Sequence, residues 1–232
     1  MTTHPRIFLR RGKEESLLRR HPWIFSGAIG RVECPSDTIA EGEIVDVHTA
    51  AGDFIARGHY QIGSIAVRVL TFAQEPIDAA WWRARIRSAC EVRRTLGLID
   101  NAATTCYRLV HGEGDSLPGL VIDIYGTTAV VQCHSVGMYR SRMQIAEALR
   151  EVYGERLAAV YDKSSQTVPY KAAYPSGMAE MNSSAHASTQ ACRSSSSVAF
   201  SLPQRRFSLI VPENSSFFCS TMATAPRRVS RS

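Results

Sequence analysis

An alternation of apolar and polar positions with a period of two runs through the first 72 residues. It is clearest from Ile65 to Phe72, where Val67, Val69 and Thr71 fall on one face and Arg68 and Leu70 on the other. Ile7 to Leu9, Ile29 to Glu33, Ile44 to His48 and Phe54 to Tyr60 read as strands on the same grounds. A single helical turn is expected around Glu14 to Arg19, after Gly12 and before Pro22, which pushes the residue ahead of it out of helix. Short strands at this density predict a small, mostly closed β-barrel.

The period changes after residue 73. Pro76 breaks the strand and Asp78 is placed to cap a helix from Ala79 to about Leu96, stopped at Gly97. Trp82, Ile86, Ala89, Cys90 and Leu96 share one side of that helix; Arg83, Arg87 and Arg94 lie toward the other, which reads as a solvated basic face. Then comes YRLVHGEGDSLPGLVIDIYG, Tyr107 to Gly126, two apolar runs joined by a Gly/Asp/Ser/Pro-rich connection, the pattern of a hairpin. Ala129 to Cys133 supplies a third strand, Tyr139 to Tyr153 a second amphipathic helix, and Ala158 to Tyr161 a short strand. The predicted class is α+β: a barrel at 5–73, a small α/β domain at 77–172 containing the hairpin, and a low-complexity tail at 173–232.

Charge sharpens this division. The net charge is +6, yet residues 1–170 hold 20 Lys/Arg against 19 Asp/Glu, so the excess belongs mostly to residues 171–232, with 7 against 2. The last 57 residues hold 15 serines and little hydrophobic period. Such a stretch buries too little surface to offset its ordering entropy, so a disordered tail is expected, or a segment read out of frame from about codon 173–176. Phe207 to Val211 has strand character without an obvious partner.

Candidate chemistry narrows quickly. GEGDSLPG is glycine-rich but is not GxGxxG, opens no helix, and puts two carboxylates where a phosphate would sit. The six cysteines form no CxxC pair, as in a reduced cytosolic protein. Cys106, His111, Cys133 and His134 come nearest to a metal set, but neighbours on a strand point to opposite faces. No apolar run of about twenty residues and no signal-peptide core occur, so a cytoplasmic protein without membrane partners is expected. Arg10, Arg11, Lys13, Arg19 and Arg20 cluster within eleven residues, enough to neutralise several phosphates. His21 and Trp23 beside them could stack on a base or pack the barrel.

KEESLLRRHPWIFSG, Lys13 to Gly27, together with the hairpin sequence and VYDKSSQTVPYKA, resembles the class I S-adenosylmethionine-dependent 23S rRNA (cytosine-5) methyltransferase family over roughly residues 5–172. The resemblance implies an N-terminal PUA domain that binds RNA, a central α/β domain, and a Rossmann-like methyltransferase domain. It also implies a stretch like KTGFFLDQR, a cofactor loop with an acidic residue, a DPP-like motif and a catalytic cysteine, and none of these motifs follows Ala173. Cytosine-5 methylation needs a thiolate to attack C6 and a methyl donor held in line. The Rossmann-like domain is therefore expected to be absent, and with it catalytic and cofactor-binding residues, so that this chain needs no S-adenosylmethionine. Two classes stay open: the RNA-recognition part of an rRNA methyltransferase, with 23S rRNA as partner, or a noncatalytic PUA-type RNA-binding protein. In either, Arg10, Arg11, Lys13, Arg19, Arg20, His21 and Trp23 are the expected RNA contacts, and the acidic hairpin turn, which would repel RNA phosphates, is expected to face the missing domain or solvent.

Overall fold

The computed structural model describes residues 4–36, 38–168, 197–201 and 208–212. Strands β1 (Arg6–Leu9), β2 (Trp23–Phe25), β3 (Ile29–Glu33), β4 (Ile44–His48), β5 (Phe54–Tyr60) and β6 (Ile65–Thr71) form one sheet in the order β2-β6-β5-β4-β1-β3. The sheet closes around its own apolar face: Ile7 and Leu9, Ile24, Val45 and Val47, Ala56, Val67 and Val69 meet in one core, with Leu17 of the single-turn helix α1 (Glu15–Leu18). Strand β2, too short to show a period in the sequence, pairs antiparallel with β6. A bidentate cross-strand pair fastens β4 to β5, Arg57 Nε donating to Asp46 Oδ1 at 2.6 Å and Nη2 to Oδ2 at 2.9 Å.

Strand β6 serves two cores. Val67 and Val69 point into the barrel, whereas Leu70 packs with Trp81, Trp82 and Ile86 of helix α2 (Ala79–Thr95). The connection is bonded too: Thr71 Oγ1 donates to Glu75 Oε1 at 2.6 Å, and Trp81 Nε1 to the same oxygen at 3.1 Å. Asp78 caps α2 as its sequence position requires, accepting from the Trp81 amide at 2.9 Å.

The second sheet runs β11-β12-β10-β9-β8-β7. Its hairpin, β7 (Cys106–His111) and β8 (Leu120–Tyr125), and strand β9 (Thr128–Cys133) stand where the sequence puts them. The second helix is broken into α3 (Val136–Arg140) and α4 (Arg142–Tyr153), because Ser135 caps the first turn by accepting from Met138 and Ser141 leaves helical geometry. Strand β10 (Ala159–Asp162) lies parallel to β9, so β9, α3 with α4, and β10 make a strand–helix–strand crossover.

Two expectations are corrected here. The segment 173–232 reads as a disordered tail, yet it contains β11 (Ser197–Ser201) and β12 (Ser208–Pro212); β12 pairs parallel to β10 and antiparallel to β11. Averaged composition hides the run of β11, and the partner that the Phe207 to Val211 run lacks in the sequence is supplied by β10 on one side and β11 on the other. The expectation that a Rossmann-like region is missing also fails in its simple form. The parallel run β9-β10-β12 with its helical crossover is α/β in character, not a plain antiparallel meander.

Candidate nucleic-acid interface

The turns before and after helix α1 carry the basic run outward. Arg10, Arg11, Lys13, Arg19, Arg20 and His21 are all exposed. Arg10 is steadied by its Nε, which donates to the Ile29 carbonyl at 3.1 Å. Lys13 borders a cavity of about 330 Å³ with Ser16, Leu17, Trp23, Phe25 and Gly27. His21 is held over this end of the barrel by its own backbone: its amide donates to the Ser16 carbonyl at 3.0 Å, and its Nδ1 accepts from the Trp23 amide at 3.2 Å. Arg20 turns the other way, in left-handed backbone at φ 64, with its guanidinium 5.0 Å from the centre of the Phe72 ring. The structure thus brings Lys13 and Trp23 to the cavity, with His21 against the Trp23 ring and Arg10 just past β1, and sends Arg20 toward the interdomain connection.

Phe25 is the residue that sequence reasoning missed. Half of its surface is exposed, 50%, on a wall of the same cavity, and the His21 ring lies 6.5 Å away. WIF reads as buried; the alternation within β2 could have shown that Trp23 and Phe25 share a face opposite the buried Ile24. An aromatic face beside unpaired cations is what a nucleic acid base and its phosphate require.

Trp23 also reaches across to the second half of the chain. It is half-buried, and its Nε1 donates to Glu113 Oε1 at 2.9 Å across to the hairpin turn. The acidic turn therefore faces the barrel, against expectation, because an indole N–H leaving water needs an acceptor. The glycine-rich turn has no capacity left for phosphate. Asp115 accepts from both Arg93 terminal nitrogens and from the His111 amide at 2.6 Å, while Arg93 Nε donates to the Arg108 carbonyl at 2.9 Å. That pair is buried on the side of α2 that holds Ile86, Ala89 and Cys90, whereas Leu96, placed on that side, is 65% exposed.

The thiols and the second cavity complete the chemistry. Burial pushes the Cys133 thiol up to about 12, and burial raises Cys90 as well; both shifts oppose thiolate formation. Among the described residues no group of three His, Cys, Asp or Glu comes together to hold a metal ion, and no helix is long and apolar enough to cross a membrane. A cavity of about 580 Å³ lies against Leu98, Asp100, Tyr107, Tyr153 and Arg156. Its polar groups are committed internally, Asp100 to Arg156 at 3.2 Å and the two tyrosine hydroxyls to each other at 3.0 Å. It therefore lacks the free carboxylate that would hold a ribose, and no cofactor is assigned to it.

Comparison with known proteins gives these features a context. Residues 7–72 match a PUA-like domain family. Ribosomal RNA large subunit methyltransferase I of Salmonella arizonae is 40% identical to the chain over 170 residues, which is 72% of this chain and 40% of that protein; the same figures hold for its counterpart in Salmonella paratyphi C. The chain thus spans about 40% of the length of the curated relatives it matches. Two solved structures share the fold at 19% identity. One is assigned as a SAM-dependent methyltransferase from Streptococcus mutans, with TM-score 0.58 over 68% of this chain and 40% of that one. The other is assigned as a methyltransferase complexed with SAH, with TM-score 0.59 over 70% and 41%. The resemblance read from the two motifs is borne out. The expectation that the methyltransferase-type fold is absent is overturned, since the strands and helices of this chain align with those of methyltransferases. Cofactor motifs are the wrong probe for it, because backbone architecture persists at identities where motifs do not.

Proposed function

We propose that this chain works in S-adenosylmethionine-dependent methylation of large-subunit ribosomal RNA, with 23S rRNA as its partner and the barrel as the part that grips it. One observation carries the reading: among the described residues, Arg11, Lys13 and Arg19 have no carboxylate partner, and they stand around the barrel end that exposes Phe25. Cations left free beside an exposed aromatic ring neutralise phosphate and receive a base. The names of the relatives supply the reaction, and the SAH complex of a structural neighbour supports the cofactor. Within this reading the described residues contribute recognition, since the thiols of Cys90 and Cys133 are held protonated by burial. No methyl transfer by this chain alone is expected.

The test is RNA binding as a function of salt. Replacing Arg10, Arg11 and Lys13 together by Ala should weaken binding of an rRNA fragment about tenfold or more. It should also reduce the slope of log K against log salt by about 2, near 0.7 for each single-strand phosphate that is no longer neutralised. Unchanged affinity and slope would remove the barrel end as the interface. Calorimetric titration with S-adenosylmethionine tests the rest: binding by this chain would overturn the restriction to recognition.

A further inference from the structure

The face of the barrel turned toward the second sheet holds a contact unrelated to RNA. His59, in β5, is 2% exposed, and its Nδ1 is buried without a hydrogen-bond partner. Burial, aided by Arg140 and Arg68, lowers its pKa to about 4, so the ring is neutral near pH 7. It lies against Gly137 in the only full turn of α3, where an added Cβ would overlap the ring and meet the Cβ of His59 at 2.5 Å. No left-handed backbone at 137 calls for glycine; the position is helical, and there glycine costs about 1 kcal/mol relative to alanine. The missing side chain is thus explained by the space that His59 fills.

Neighbouring segments come equally close. A Cβ on Gly42 of the barrel would lie 3.1 Å from the Gly137 nitrogen and 3.0 Å from Cδ of Arg140. A Cβ on Gly119, at the end of the hairpin connection, would lie 3.0 Å from Ser135 Oγ and 3.6 Å from Cδ of Arg68. Trp23 and Glu113 form a strut at the RNA-facing rim, and Leu70 is shared with the second core. Close-packed backbones and a ring in a slot are intolerant of small displacement, because interiors pack at crystal-like density and do not deform continuously.

We propose that His59 and Gly137 form a keyed lock that makes the barrel and the α/β unit one rigid body, so that RNA gripped at the barrel end is presented to the second sheet at one fixed distance and angle. The final step of this statement rests on the RNA reading above; the lock itself does not. The experiment uses the full chain. Gly137→Ala should raise amide exchange at residues 58–61 and 136–140 at least tenfold and split one calorimetric unfolding transition into two. Affinity for the rRNA fragment should stay within twofold, since the basic end is untouched. Adding His59→Gly to Gly137→Ala should restore the single transition and the protection. Adding His59→Ala should not, because its Cβ remains in collision. Native protection and one transition in Gly137→Ala would overturn the lock. So would equal rescue by the two His59 substitutions, or a Gly137→Ala chain that stays unfolded with His59→Gly present. Loss of RNA binding in every form, the parent included, would instead remove the RNA reading and leave the lock to be judged on exchange.

Discussion

The arginines of the two halves of this molecule are distributed differently. Most of those in the α/β unit have a carboxylate partner, among them Arg83 with Glu151, Arg93 with Asp115, Arg108 with Asp123, Arg150 with Glu147 and Arg156 with Asp100. On the barrel, Arg6, Arg31 and Arg57 are likewise paired, but the run around α1 is not. Net charge alone does not reveal this, because the first 170 residues are almost balanced. What sets the run around α1 apart on the barrel is that its positive charges lack a carboxylate partner among the described residues.

The contrast can be broken at its strongest point first. Arg93→Ala leaves Asp115 buried without its partner, and removing one member of a buried pair costs about 3–5 kcal/mol. Urea denaturation should show that loss, and a cost below about 1 kcal/mol would mean that Arg93 is as dispensable as a surface charge. The second effect is pH dependence. His59 binds a proton at about 4 in the folded chain against 6.5 when unfolded, so its contribution is intact above pH 6.5 and disappears as pH falls toward 4. The loss is on the order of 3 kcal/mol over that window. A His59→Gln chain should lack this part of the pH profile, and an unchanged profile would remove His59 as its origin. Third, Phe25→Ala should weaken RNA binding by about 1–3 kcal/mol, the range for removal of one base stack, while leaving the melting temperature nearly unchanged. Smallest of all, Arg83→Ala, at an exposed pair, should alter stability by no more than about 0.5 kcal/mol and leave RNA binding alone.

Much of the architecture is legible in the sequence because its signals are local. The Asp78 cap, the strand alternation of β6 and the turn between β7 and β8 each need only a few consecutive residues. The misses have a common cause, since each depends on a partner distant in sequence. Arg93 looks like Arg83 and Arg94 until Asp115, twenty-two residues on, is seen to face it. Glu113 reads as facing solvent or another domain, because it would repel RNA phosphates, until Trp23, ninety residues earlier, presents an N–H. Strand β12 has β character of its own, but its reason to form lies in β10. At the candidate site the basic run is visible as charge, whereas Phe25 requires knowing that β2 is a strand with one buried residue between two outward ones.

The double duty of β6 has a practical consequence for anyone wishing to isolate the PUA-like barrel. A fragment ending at Phe72 would keep the Val67 and Val69 core but uncover Leu70, Ala66 and the slot around His59, all nearly inaccessible in the intact chain. Apolar surface uncovered on the face of a sheet invites self-association. Such a fragment should behave as a sticky species whose apparent RNA affinity varies with its own concentration, so the useful boundary for dissecting this protein lies beyond α4, not at the end of the barrel.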